Sequence, residues 1–275
     1  MAFSKTHPAL ARALADRDYS EPTPVQAAVL AAETEGRDLL VSAQTGSGKT
    51  VAFGMAIAHD LIGAAERLDE PEAPLALLIA PTRELALQVE RELAWLYEQT
   101  GARIVACVGG MDPRAERRRL AMGCHIVVGT PGRLRDHIER HGLELSGIRA
   151  VVLDEADEML DMGFREDLEF ILQATPVERR TLMFSATLPK GIVHLAQNYQ
   201  RDAQRIAVAG ATRGHADIEH RAVRVSPKEV EAAVVNLLRF HDAPAAIVFA
   251  NTREAVRHLQ ATLQERGFSA VALSG

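Results

Sequence analysis

Short apolar runs alternate with amphipathic stretches along most of this 275-residue chain. The runs are four to six residues long and are bounded by Gly, Pro or charged residues, which is typical of strands buried on both faces of a parallel sheet. Between them, residues 83–98 carry Leu85, Val89, Leu93 and Leu96 at helical spacing. The alternation predicts an α/β fold, a parallel β-sheet flanked by helices. The predicted strands are residues 38–43, 76–80, 104–108, 126–129, 150–153 and 181–185.

The pattern predicts two domains. Residues 1–209 form the first, and the small and polar residues around 210–217 are interpreted as a linker. Residues 218–275 begin a second α/β unit but hold only its opening elements. Its predicted strands are residues 220–225, 245–250 and 270–273, and its predicted helices are residues 228–240 and 252–266.

Composition limits how the chain can meet other molecules. Its net charge of -6 argues against binding nucleic acid by bulk positive charge, so such a site must use local amides and a few basic side chains. The two cysteines, Cys107 and Cys124, lack zinc-site spacing and are predicted to be reduced and buried, which favours a cytoplasmic protein. No apolar stretch has the length of a membrane span. No role is assigned to any of the ten histidines.

A phosphate-binding loop is predicted between the first strand and the helix that follows it. Glycines let the backbone curl so that amides face phosphate oxygens, Lys49 reaches the phosphates, and Thr50 offers a hydroxyl to Mg²⁺. Ala43 replaces the usual first glycine, and a Gly-rich turn without a ligand is the alternative. The predicted nucleotide-binding residues of this loop are Ala43, Gln44, Thr45, Gly46, Ser47, Gly48, Lys49 and Thr50.

Two carboxylates follow the apolar run at residues 150–153. At the carboxyl end of a strand, Asp154 can hold Mg²⁺, largely through water, and Glu155 can orient the attacking water. Lys49, Asp154 and Glu155 are therefore the predicted catalytic residues, with Thr50 and Asp154 at the metal. The alternative is a solvated acidic helix start, since acidic residues favour the first turn of a helix.

Residues 154–157 spell D-E-A-D, and the chain resembles the DEAD-box ATP-dependent RNA helicases. The resemblance implies RecA-like domains, the first complete and the second partial. It also implies that Gln26, in a segment similar to the Q motif of the family, reads the adenine edge. Phe3 lies at the spacing of the adenine-stacking aromatic; the alternative is a frayed apolar residue. Tyr19 is interpreted as a packing residue.

Further segments extend the resemblance in the order of the family. Ser185 and Thr187 match a motif that bonds to the acidic motif, here at Asp157, and couples the nucleotide state to the domain arrangement. Three other segments match motifs that contact the RNA backbone, although each alone is also an ordinary helix cap or turn. The RNA-binding residues that the resemblance implies are Pro81, Thr82, Arg83, Gly109, Gly110, Thr130, Pro131, Gly132 and Arg133.

The resemblance implies an enzyme that couples hydrolysis of ATP with Mg²⁺ to local separation of RNA duplexes, without base specificity. The arginine finger of the family belongs to motifs outside these 275 residues, so weak turnover by this chain alone is expected. Two alternatives are an ATP-binding module without turnover and a DNA-directed motor. The sequence identifies no protein partner. The basic run at Arg114, Arg117, Arg118 and Arg119, with Glu116 inside it, is interpreted as a solvated helix face.

Overall fold

A computed structural model describes residues 3, 5–208, 219 and 221–273. Contacts divide the chain into two compact units, Met1–His215 and Ala216–Gly275. The division falls within residues 210–217, the predicted linker, most of which lies outside the described residues. Among the described residues, no helix has both the length and the apolar character needed to cross a membrane.

Seven parallel strands form the sheet of the first unit, in the order β3-β4-β2-β5-β6-β1-β7. Six of them confirm the predicted strands, because uninterrupted apolar runs suit a sheet that is covered on both faces. The strands are β1 Leu39–Ser42, β2 Ala76–Ile79, β3 Ile104–Cys107, β4 Ile126–Gly129, β5 Ala150–Leu153, β6 Arg180–Ser185 and β7 Gln204–Ala207.

Side-chain alternation along the strands builds two hydrophobic clusters, one on each face of the sheet. Leu39 and Val41 of β1 belong to the first cluster, whereas Leu40 belongs to the second. The same division occurs in β5, where Val152 faces one cluster and Val151 the other. The sheet is therefore the central layer of three, as the apolar runs predicted.

Helices from the first half of the unit cover the first cluster, and later helices cover the second. The first group is α1 Pro8–Ala15, α2 Pro24–Val29, α3 Lys49–Ile62 and α4 Arg83–Leu96. The second group is α5 Pro113–Ala121, α6 Pro131–Glu139, α7 Ala156–Asp161, α8 Arg165–Ala174 and α9 Lys190–Tyr199. Short 3₁₀ turns occupy Ala32–Thr34 and Glu98–Thr100.

The edge strand β7 was missed by the sequence analysis. It pairs only with β1, and its residues alternate between half-buried and exposed. Gln204 and Arg205 are polar, so β7 lacks the uninterrupted apolar run from which the other strands were predicted. Its pairing begins where the Gln204 amide donates to the carbonyl of Asp38, at 2.8 Å. An edge strand needs less apolar character because part of it faces solvent.

The second unit contains helices α10 Val230–His241 and α11 Arg253–Glu265, preceded by a 3₁₀ turn at Pro227–Glu229. The helices confirm those predicted at 228–240 and 252–266. The predicted strands at 220–225, 245–250 and 270–273 are wrong for the residues described there, since residues 221–226, 245–250 and 270–273 carry no strand. A strand needs a partner to bond its backbone, and the described residues of this unit supply none. Ile247 and Phe249 are consequently 83% and 90% exposed.

We predict that Arg180→Ala destabilises the first unit by about 3–5 kcal/mol, because it removes a buried guanidinium that pairs with the half-buried Asp60 and serves three backbone carbonyls. The Arg180 guanidinium, 8% exposed, donates to Asp60 Oδ2 at 3.0 Å and to the carbonyls of Thr34, Arg37 and Ala56. Urea unfolding followed by circular dichroism measures the change.

The matched control for this experiment is Arg103→Ala. Arg103 and Glu70 form a solvent-exposed ion pair at 2.7 Å, and such pairs contribute at most about 1 kcal/mol. Equal losses of stability in the two variants would contradict the structural role assigned to Arg180.

Candidate functional site

Most of the predicted site residues lie at or just beyond the carboxyl ends of parallel strands, so they gather at one edge of the sheet. Phe3 and Gln26 are the exceptions, since both precede β1. Strand order divides this edge in two. Strands β1, β6 and β5 lead to the predicted phosphate loop, coupling residues and acidic residues, whereas β2, β4 and β3 lead to the predicted RNA-backbone segments. The two halves meet where β5 pairs with β2.

The phosphate loop joins β1 to α3, as predicted. Gly46 and Gly48 have φ of 79° and 88°, in the left-handed region that favours glycine. At Gly48 there is a second reason, since a Cβ there would lie 2.7 Å from Nε2 of Gln26. The backbone of the loop therefore depends on these two glycines, and Ala43 is accommodated at its start, where its amide donates to the carbonyl of Ser185 at 3.0 Å.

Hydrogen bonds fix three carbonyls of this loop. The Ser47 hydroxyl donates to the carbonyl of Gln44 at 2.7 Å, and Thr23 Oγ1 donates to that of Ser47 at 2.9 Å. Gln26 Nε2 donates to the carbonyl of Gly48 at 3.3 Å. Because the C=O and N–H of one peptide point in opposite directions, each fixed carbonyl also fixes the direction of the amide that follows it. The loop thus presents a preset row of amides suited to an anion.

Lys49 and Asp154 face each other beside this loop. Both are buried, and Lys49 Nζ lies 3.6 Å from Asp154 Oδ1. Nζ has no hydrogen-bond partner among the described residues, although a buried ammonium normally requires one. Burial raises the pKa of Asp154 to about 6, the nearby Lys49 opposes that rise, and Glu155 adds to it. This arrangement leaves a buried cation available for further acceptors, as a phosphate-binding lysine requires.

Glu155 has φ of 51° and ψ of 51°, an uncommon backbone conformation for a residue with a side chain. Its Oε1 accepts from Thr45 Oγ1 at 3.2 Å, which places the carboxylate across from the phosphate loop. Strained residues concentrate at functional sites, where the surrounding structure maintains them. Thr50, 8% exposed, lies at the first turn of α3 near the Lys49–Asp154 pair.

The predicted coupling residues meet one another. Asp157 Oδ2 accepts from the Thr187 amide at 2.9 Å and from its hydroxyl at 2.7 Å. The Ser185 hydroxyl donates to the carbonyl of Thr187 at 2.6 Å. Burial opposes the ionisation of Asp157, but the hydrogen bonds from Thr187 outweigh it and hold the pKa below its usual value. An acidic residue after β5 is thereby bonded to the loop after β6.

The predicted RNA-backbone segments lie side by side at the other half of the edge. Thr82 caps α4 by accepting from the amide of Leu85, and the exposed Arg83 makes no ion pair or side-chain hydrogen bond among the described residues. Gly110 has φ of 77°, and a Cβ there would lie 2.8 Å from Nη1 of Arg83. Pro131 is buried at the start of α6, where Thr130 is the N-cap residue.

Arg133 differs from the other residues of these segments, because its guanidinium is engaged inside the protein. Nη1 donates to Glu116 Oε2 at 2.8 Å and to the carbonyl of Met111 at 3.1 Å, and the side chain is 14% exposed. His137 Nε2 lies 2.7 Å from the same oxygen of Glu116.

Sequence reasoning assigned no function to Glu116 or His137. Helical spacing could have predicted that both side chains face the core. Glu116 precedes the buried Leu120 by four residues and His137 follows the buried Leu134 by three, which places each on the buried face of its helix.

The other residues singled out from the sequence have the following placements. Phe3 is 6% exposed and belongs to the first hydrophobic cluster, and its stacking on adenine stays a prediction. Tyr19 packs against Trp95, with ring centroids 5.7 Å apart, as its interpretation as a packing residue requires. Cys107 and Cys124 are free and buried, which confirms the prediction for both. The four arginines at 114 and 117–119 are exposed, which confirms the solvated face of α5 for them. The interpretation is wrong for Glu116, which lies within the same run and is buried.

Comparison with known proteins gives consistent findings. A family model described as DEAD/DEAH box helicase matches residues 23–195. The ATP-dependent RNA helicase DeaD of Buchnera aphidicola is 38% identical over 275 residues, covering 100% of this chain and 45% of that protein. The ATP-dependent RNA helicase CshA of Listeria monocytogenes is 40% identical over 257 residues, covering 94% of this chain and 48% of that protein. The chain thus spans about half the length of these relatives.

A solved structure is also similar, that of a DEAD box protein from the hyperthermophile Methanococcus jannaschii. It matches with a TM-score of 0.68 and 34% identity, over 98% of this chain and 71% of that chain. The matching fold confirms the predicted parallel sheet with flanking helices.

We predict that Thr187→Val lowers the free energy of unfolding by about 1.5–3 kcal/mol at pH 7, the usual contribution of a hydrogen bond to a charged group. Because folding lowers the pKa of Asp157, its ionised form stabilises the fold above the unfolded pKa of about 3.9. That contribution disappears as the pH falls through the folded value. The difference between variant and parent should therefore shrink below about pH 4.

Urea unfolding at several pH values measures this difference. Thr45→Val is the matched control, since it removes an exposed threonine hydroxyl bonded to Glu155. A loss of stability in Thr187→Val that stays constant down to pH 3 would show that Asp157 is not the group involved.

Proposed function

Because this chain belongs to the DEAD/DEAH box helicase family, we propose that it provides the ATP-binding unit of an ATP-dependent RNA helicase. The observation that carries the proposal is the buried ammonium of Lys49, which lies beside Asp154 without a hydrogen-bond partner among the described residues. The relatives DeaD and CshA are named as ATP-dependent RNA helicases, which supports the same assignment.

ATP is the proposed substrate. Its phosphates would occupy the loop at residues 43–50, where amides and Lys49 offset their charge. Gln26 would read the adenine edge with its amide, which at present bonds the carbonyl of Gly48 and the amide of Thr23. Nucleotide binding at Gln26 would therefore be communicated directly to the phosphate loop.

Mg²⁺ is the proposed metal, and the donors present suit it. Thr50 and Asp154 provide the hydroxyl and carboxylate oxygens that a hard cation prefers. When bound, the ion would offset the negative charge of the phosphates. Glu155 would orient a water molecule and accept its proton as that water forms a bond to the terminal phosphorus. The bond from that phosphorus to the bridging oxygen would break at the same time, and ADP would leave with the bridging oxygen. Its position across from Thr45 supports this role.

RNA is the proposed macromolecular ligand, bound through its backbone at the half of the edge formed by β2, β4 and β3. Thr82, Arg83, Gly110, Thr130 and Gly132 supply amides, hydroxyls and one free guanidinium, which suit phosphates and sugars rather than bases. Hydrogen bonds between Asp157 and Thr187 would couple the state of the nucleotide to the domain arrangement. We also propose that the whole protein uses this unit to separate short RNA duplexes locally, and that it lies in the cytoplasm.

We predict that Lys49→Ala weakens ATP binding at least about 100-fold, since it removes the cation that faces the phosphates. Titration calorimetry with ATP and Mg²⁺ measures this loss. Gln26→Ala should instead reduce the preference for ATP over GTP. Retention of ATP affinity by Lys49→Ala would refute the placement of the phosphates.

Steady-state ATP hydrolysis, with no nucleic acid, single-stranded RNA or single-stranded DNA, tests the enzymatic proposal. We expect weak turnover by this chain, and Glu155→Gln should abolish it while nucleotide binding persists. Binding without any turnover would favour an ATP-binding module. Equal stimulation by DNA and RNA would favour a DNA-directed motor.

A further inference from the structure

A buried group of charged side chains lies behind the predicted RNA-backbone segments. Glu116 on α5 is 2% exposed, and both its carboxylate oxygens accept hydrogen bonds. Oε1 accepts from the amide of Val108 at 3.0 Å, and Oε2 is shared by Arg133 and His137 of α6. One carboxylate therefore joins the end of β3 to the first turns of α6.

This group holds the Gly109–Gly110 turn from both sides. Val108, whose amide bonds to Glu116, immediately precedes the turn. Met111, whose carbonyl accepts from Arg133 at 3.1 Å, immediately follows it. Gly110 in turn approaches Arg83 so closely that a Cβ would lie 2.8 Å from Nη1. The backbone of the turn is thus fixed against the free guanidinium proposed to meet a phosphate.

Charge keeps Arg133 in this place. If its guanidinium moved out to a phosphate, the Glu116 carboxylate would lose its guanidinium partner in a buried site, which is costly. Arg83 carries no such constraint, because it has no partner among the described residues and is exposed. Both arginines were predicted from the sequence as RNA contacts. Arg133 is held by Glu116, whereas the guanidinium of Arg83 can meet a phosphate.

A metal site is the other explanation that Cys107, Glu116 and His137 invite, since their ligand atoms lie within 4.8 Å of one another. The distances favour hydrogen bonding instead. Glu116 Oε2 and His137 Nε2 are 2.7 Å apart, a hydrogen-bond separation, and the guanidinium of Arg133 contacts the same oxygen. Burial raises the pKa of the Cys107 thiol, which keeps it protonated and unsuited to a cation.

We propose that Glu116, Arg133 and His137 form a buried clamp that positions the Gly109–Gly110 turn and residues 130–132 for the RNA backbone, and that Arg133 is a positioning residue rather than a phosphate contact. The inference rests on the proposed function, because it assigns roles within the same RNA site. Arg83 is then the guanidinium that neutralises a phosphate.

The salt dependence of RNA binding separates the two roles. Each neutralised phosphate of a single strand adds about 0.7 to the slope of log affinity against log salt. We would measure binding of a fluorescent oligo-uridine by anisotropy at several salt concentrations, with a non-hydrolysable ATP analogue and Mg²⁺ present. The variants are Arg83→Met, Arg133→Met and the double variant Glu116→Gln/Arg133→Met.

Arg83→Met should make this negative slope shallower by about 0.7. Arg133→Met should leave the slope unchanged and weaken binding about 2- to 30-fold at every salt concentration, the range for coupling through a network. The double variant should recover part of that affinity, because no buried charge is left unpaired. A slope lowered equally by both single variants would overturn the proposal.

Thermal unfolding provides the second measurement, and the single variant Glu116→Gln is added here so that the double-mutant cycle is complete. Arg133→Met should lower the Tm by about 6–20 °C, as expected for a broken buried pair, and the double variant should regain most of that loss. Arg83→Met should change the Tm little. Additive effects of Glu116→Gln and Arg133→Met on the Tm would overturn the clamp.

The two measurements also distinguish failure of this inference from failure of the proposed function. If the parent chain binds no oligo-uridine at all, the proposed RNA site fails. The double-mutant cycle in Tm then tests the clamp by itself. Non-additive effects of Glu116→Gln and Arg133→Met on the Tm would support the clamp, and additive effects would overturn it.

Discussion

The parallel ladder at the carboxyl edge of the sheet is the constraint on which the rest of the structure depends. The pairing continues one residue beyond the strands: Ala43 donates to Ser185, Asp154 to Ile79, Ala80 to Gly129 and Thr130 to Cys107. Each of these amides begins a loop that carries predicted site residues. The loops are therefore anchored to neighbouring strands, so their relative positions follow from the register of the sheet.

The buried charged groups in the two halves of this edge differ in how completely they are hydrogen-bonded. In the predicted nucleotide half, Lys49 faces Asp154 at 3.6 Å and its ammonium has no hydrogen-bond partner among the described residues, so it can donate to further oxygen ligands. In the predicted RNA half, both oxygens of Glu116 are bonded, although Nδ1 of its partner His137 has no hydrogen bond among the described residues. An unbonded buried ammonium suits binding, whereas a carboxylate with both oxygens bonded suits rigidity.

Sequence patterns predicted most of the first unit, because parallel strands buried on both faces leave uninterrupted apolar runs. They failed where that physical condition changes. The edge strand β7 is half exposed and polar at Gln204 and Arg205, so no apolar run marks it. In the second unit, residues 245–250 have the apolar character of a strand, but the described residues provide no partner for their backbone groups.

The sequence by itself determined the chemistry of the predicted nucleotide site, because a glycine loop, Lys49, Thr50 and the carboxylates at 154 and 155 are recognisable from residue type and spacing at strand ends. Only the tertiary structure decided what each arginine of the predicted RNA half can do. Arg83 and Arg133 look equivalent in their motifs, yet one meets solvent and the other meets Glu116. That difference depends on the carboxylate of Glu116, which lies 17 residues before Arg133 in the sequence. The pairing of β3 with β4 brings the two residues together, and no local sequence pattern predicts that contact.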